Sequence, residues 1–92
     1  MTTHKQEASE RTIRLLPQEK EGNYTFADKF VATPAAIGKF GEPLIFAAYA
    51  SLQRRAQQKG GLDYLQVFEI DGERLWFIDD VTHRICLLPT DY

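Results

Sequence analysis

Between Leu44 and Ala56 the apolar residues recur at helical spacing. Ile45, Ala48, Tyr49, Leu52 and Ala56 stand at i, i+3, i+4, i+7 and i+11, which is one stripe along a helix of 3.6 residues per turn. Pro43 suits the first turn, where a missing N–H needs no partner. Glu42 lies at the positive end of the helix dipole, Arg54, Arg55 and Lys59 at the negative end, and Gly60-Gly61 supplies the stop. The pattern predicts a helix over about 43–59 whose small alanines let a sheet approach closely.

Downstream the period shortens to two. Residues 63–70 are rich in aromatic and branched side chains, Asp71-Gly72 is a two-residue hairpin signal, and Arg74 to Ile78 returns. A turn at Asp79-Asp80-Val81-Thr82 leads to a last strand, Arg84 to Leu88, closed by Pro89. Upstream, Thr12 to Leu16 predicts a short edge strand stopped by Pro17. Tyr24 to Thr33 predicts a further strand, with Tyr24, Phe26 and Phe30 on one face, interrupted by Asp28 and ended by Pro34. Residues 34–43, with two glycines and two prolines, read as a single helical turn or an irregular loop. These elements predict an α+β fold: a small antiparallel sheet of four to five strands with one main helix packed on one face. Residues 1–10 read as a flexible polar tail and 11–92 as a single α+β domain.

The chain has 92 residues, of which 43% are apolar and 26% charged, so it is neither mostly disordered nor collagen-like. A domain of this size buries only about 60% of its unfolded surface, which makes self-association or docking on a partner an expectation from size alone. The one cysteine, Cys86, excludes an intramolecular disulfide, and no Cys/His spacing suggests structural zinc. The longest apolar run, Leu44 to Ala50, is far short of the roughly 20 residues that span a bilayer. With a polar stretch from Thr2 to Arg11 in place of a signal peptide, these features point to the cytoplasm and away from a membrane.

The net charge of −2 is unevenly spread. Residues 1–22 are neutral, 23–62 carry +3 and 63–92 carry −5, a polarity that bears on partner choice and association rate.

One segment carries a likeness. Tyr64 to Glu69 (YLQVFE), after a helix and an N-terminal strand, resembles a strand shared by a family of small uncharacterised proteins from Gram-positive bacteria. The likeness covers those residues and the order of elements around them. The Asp71-Gly72 hairpin and the strand from Leu75 to Asp80 depart from the family pattern. The resemblance implies a small bacterial α+β domain and brings no activity with it.

Candidate chemistry is sparse. Asp79, Asp80 and His83 combine metal-ligand types at a turn, but short acidic side chains also shape turns by bonding nearby backbone, and no third fixed ligand is evident. Cys86 and His83 lie three apart, which in one strand puts them on opposite faces, and the apolar neighbours of Cys86 suggest an inert thiol. Lys39, Arg54, Arg55 and Lys59 could contact phosphates, though an acidic chain with no RNA-binding or zinc-finger signature makes nucleic acid the lesser expectation. No catalytic residue, cofactor or metal site is predicted.

The aromatic pattern says more. Apolar residues occur at both parities between 64 and 88, so both faces of the sheet want cover, and one helical stripe covers one face. Trp76 and Ile78, with Tyr64 and Phe68, are the candidates for a partner-binding face. The expectation is a non-enzymatic interaction or regulatory module that binds a protein or itself through its C-terminal sheet. The alternative is a nucleic-acid-associated accessory protein using Arg54, Arg55 and Lys59.

Overall fold

The computed structural model describes residues 12–92; the polar tail expected at 1–10 lies outside the described residues. The chain forms β1 (Ile13–Leu15), β2 (Val31–Ala32), α1 (Pro34–Phe40), α2 (Glu42–Lys59), β3 (Leu65–Ile70), β4 (Glu73–Asp79) and β5 (Arg84–Leu87), then a 3-10 turn, Pro89–Asp91. The strands make one sheet in the order β1-β3-β4-β5-β2. β1, β3, β4 and β5 pair antiparallel, but β2 joins β5 in parallel, so the sheet is mixed rather than wholly antiparallel as the sequence suggested. The reason is connectivity: both helices and two strands lie between β2 and β5, and a crossover of that length permits a parallel neighbour. The fold class, α+β, stands.

The helix stripe packs as its spacing implies. Ile45, Ala48, Tyr49, Leu52 and Ala56 are all buried, and Gly60 ends α2 in the left-handed conformation. They meet Phe68, Ile70, Leu75, Phe77 and Cys86 from the sheet. The Tyr49 ring stacks on Phe77 at 5.4 Å, and Phe30 lies tilted against Tyr49 at 4.3 Å. Each buried aromatic of this kind contributes its area plus about 0.5–1.5 kcal/mol for the ring pair.

Two segments differ from their sequence pattern. Residues 34–40 form two helical turns, not one turn or a loop. Thr33 caps them by accepting the Ala36 N–H at 3.1 Å, and Pro34 occupies the first turn. The run from Tyr24 to Thr33 is not one strand. Tyr24 makes a single bridge to Leu62, and Phe26 and Asp28 take left-handed backbone (φ 51° and 71°) that turns the chain and drives Phe26 into the core. Only Val31–Ala32 remains to pair.

The hairpin between β3 and β4 has the predicted two-residue turn. Ile70 pairs with Glu73, and Asp71 and Gly72 both have positive φ (53° and 85°), the type I′ geometry that matches strand twist. The same register logic carries β4 into β5. Asp79 pairs with Arg84, and the Asp80 N–H bonds the His83 carbonyl at 2.9 Å, leaving Val81-Thr82 as the loop.

Candidate functional site

Register sorts the strand residues onto two faces. Phe68 lies opposite Leu75, and Phe77 opposite Cys86; these face the helices. Val67 lies opposite Trp76, Trp76 opposite Leu87, and Ile78 opposite both Leu65 and Ile85; these face away. Among the described residues no helix covers this second face. Leu65, Val67, Trp76, Ile78 and Ile85 are partly exposed, and Val31 on the β2 edge is 64% exposed. The turn after β5 sets the Tyr92 ring edge-on to Trp76 at 5.6 Å, residues 16–19 border a groove with Leu65, Val67 and Arg74, and Leu87 is 5% exposed.

The open face is built in levels along the strands. At one end stand Arg14, Glu69 and Arg74. Arg14 and Glu69 form an ion pair, Arg74 lies 4.0 Å from the same carboxylate, and the Arg14 hydrogen bond holds Glu69 below the usual carboxylate range. Next come Val67, Trp76 and Leu87, then Leu65, Ile78, Ile85 and Val31. The far end is acidic. The β3–β4 register ends at Leu65 opposite Ile78, with one further bond from the Asp79 N–H to the Tyr64 carbonyl, and Asp80 stands at this end next to His83. The His83 N–H bonds the Asp80 carboxylate at 2.6 Å and lowers its pKa. The face is therefore two apolar levels between a cationic end and an acidic end.

This arrangement places two of the four partner-binding candidates on the open face and two elsewhere. Trp76 and Ile78 share the open face. Phe68 does not: it is 1% exposed beneath the helices, edge-on to Phe77 at 5.6 Å. The turn at Asp71-Gly72 already fixes Phe68 opposite Leu75, so its parity was readable. Tyr64 alternates away from Leu65 and packs edge-on to Tyr24 at 6.3 Å, exposed but on the other side. Val67, Leu65, Ile85 and Val31 complete the face.

The four cations are not brought together. Lys39 pairs with Glu73 beside the N-terminus of α2, whereas Arg54, Arg55 and Lys59 occupy its last turns, about 18–26 Å further along at 1.5 Å per residue. Arg55 and Lys59 border a groove of about 390 Å³ with Gln18, Lys20 and Glu21, where both signs of charge meet. Gln66, buried at its floor, donates to Gln18 and to the Asp63 carbonyl.

The turn residues divide in the same way. Asp79 points inward and is 2% exposed; its carboxylate accepts the N–H groups of Phe26 at 3.0 Å and Val81 at 2.8 Å and lies 3.6 Å from Arg84. Asp80 and His83 point outward. Among the described residues no three His, Cys, Asp or Glu side chains are grouped to hold a metal ion. Cys86 is buried away from His83, and desolvation pushes its thiol up to about 12. Desolvation likewise pushes Tyr49 up to about 12, and its hydroxyl donates to the Asp28 carbonyl. Neither group is poised as a nucleophile or base near pH 7. No helix among the described residues is long and apolar enough to cross a membrane.

Comparison of the chain with protein-family models, with curated proteins and with solved structures returned no match.

Proposed function

We propose that this chain is a non-enzymatic protein-binding module that docks its partner on the open face of the sheet. One observation carries the reading: Val67, Trp76, Leu65, Ile78 and Ile85 form two contiguous, partly exposed apolar levels, with the Tyr92 ring set against Trp76. A sheet face of this kind is stable in water chiefly when another surface covers it. Trp76 and Tyr92, edge to face, are the side-chain types that dominate interface energetics. The reading includes a cytoplasmic setting, supported by the single unpaired thiol of Cys86.

The test is site-specific photo-crosslinking in the native cells, with the probe at Ile78 on the open face and, as control, at exposed Gln57 on α2. Protein adducts from position 78 and none from position 57 are expected. Absence of adducts from position 78, with the protein folded, would sink the proposal.

A second reading is nucleic-acid association through the end of α2. It is favoured by the exposure of Arg54, Arg55 and Lys59, none of which makes an ion pair among the described residues. Phosphate contacts by three cations would give a log–log salt slope of about −2 to −3. Retention on DNA or RNA without that slope counts against it.

A further inference from the structure

We propose that the occupant of the open face is a second copy of this chain, related by a two-fold axis that runs across the strands. The inference rests on the protein-binding reading and gives it a partner. The charge order of the face is what selects a copy. Arg14 and Arg74, with Glu69 between them, lie at one end of the strands, and Asp80 lies at the other. Between them are three two-residue steps, about 20 Å at 3.3 Å per residue. An axis across the strands reverses strand direction in the partner and leaves each strand over its own counterpart. Arg74 on β4 then lies over the end of the partner's β4, where Asp80 stands. An isologous contact repeats each pairing twice. An axis along the strands instead places the Arg14, Glu69 and Arg74 end over its own kind and leaves the acidic ends together, so the antiparallel arrangement is the favoured one.

The apolar levels fit the same geometry. Trp76, Ile78, Val67 and Leu65 lie between the charged ends in both copies and would interdigitate as in aligned sheet packing, with sheets about 10 Å apart and crossed by about 30°. The segment outside the described residues is a poor alternative cover, because residues 1–11 contain no large apolar side chain except Met1. Size sets the strength. Four strands at about 4.8 Å spacing and about 20 Å of length give a projected face of roughly 400 Å². A standard interface takes about 800 Å² per partner, so the dimer belongs to the weak, reversible class.

The experiment is sedimentation of the full chain from about 10 μM to about 1 mM at low salt, the range in which a weak dimer dissociates. A reversible monomer–dimer equilibrium is expected. Arg74→Glu and Asp80→Arg should each weaken it by about tenfold, and the two together should restore it, because the reversed charges again meet across the axis. Ile78→Glu should abolish it. Far-UV circular dichroism checks that each variant keeps its fold. Because Asp80 also accepts the His83 N–H, Asp80→Asn, which keeps an acceptor there and removes the charge, serves as the second acidic-end variant. A parent that stays monomeric at the highest concentration overturns the second-copy proposal, while adducts from position 78 to other proteins would still leave the protein-binding reading standing. A dimer unaffected by Ile78→Glu, or one in which the double reversal gives no recovery, overturns it equally.

Discussion

The carboxylate of Asp79 reaches across 53 residues of chain to accept the backbone N–H of Phe26 at 3.0 Å, in a site closed to solvent. Phe26 has φ of 51°, a conformation that a bulky residue rarely adopts, and a fully buried ring. One carboxylate thus holds together the end of β4, the Val81 turn and the bend that inserts Phe26.

Replacing Asp79 with Ala should leave a buried N–H unsatisfied and Arg84 without its carboxylate. The expected loss is about 2–4 kcal/mol in urea unfolding. Asp79→Asn, which keeps one acceptor, should lose less. Equal stability of Asp79→Ala and the parent would show that the Phe26 bend is held by packing alone.

The two hairpin turns make opposite predictions. Gly72 has φ of 85°, so Gly72→Val should destabilise by about 1–3 kcal/mol. Val81, the first loop residue of the β4–β5 hairpin, has φ of 80°, where glycine is preferred and a β-branched side chain is strained. Its side chain is 70% exposed, so little packing is lost on removal. Val81→Gly should therefore stabilise by about 1 kcal/mol, read as a higher melting temperature.

Gly38 sits within α1 with nothing near the position a Cβ would take and without a positive φ. Gly38→Ala should stabilise by about 0.5–1 kcal/mol through lower entropy of the unfolded chain and better helix propensity. A destabilised variant in thermal melts would mean that α1 is not helical in solution.

Cys86 predicts both a reactivity and a pH dependence. Burial raises its pKa from an ordinary value of 9.0 to about 12. In the folded protein the thiol keeps its proton through that interval, while the unfolded chain releases it above about pH 9. The unfolded state then binds fewer protons, so the Cys86 contribution is fully present below pH 9 and falls away between about 9 and 12. Native protein at pH 8 should react with a thiol reagent only at the rate of opening, and fast labelling would place Cys86 at the surface.

Legibility in the sequence followed the range of the interactions. The stripe of α2, its caps and the Asp71-Gly72 turn are specified by residues within a few positions, and all were readable. So was the parity that puts Trp76 with Ile78. The break at Phe26 and Asp28 was not, because the groups that hold it, Asp79 and the buried Tyr49 and Gln53, come from remote elements. Helix α1 was hidden by Gly38, whose helix-breaking tendency is outweighed by the Thr33 cap and the burial of Ala36 and Phe40, while Gly41 ends the helix. Tyr64 and Phe68 share the parity opposite to Leu65 and Val67, so the register that pairs Leu65 with Ile78 sets both away from Trp76.

The parallel seam between β2 and β5 also sets the order in which the chain can assemble. Its partners, Val31 with Ile85 and Ala32 with Cys86, are separated by 54 residues, and those of β1 and β3 by 53 to 57. The β3–β4–β5 meander closes through two short loops. Loop-closure entropy therefore favours the meander as the early structure, with both outer strands added late. Until they arrive, the kinetically exposed species is a three-stranded ribbon with two bare edges and two apolar faces. Refolding yield should fall with concentration through that species rather than through the finished fold.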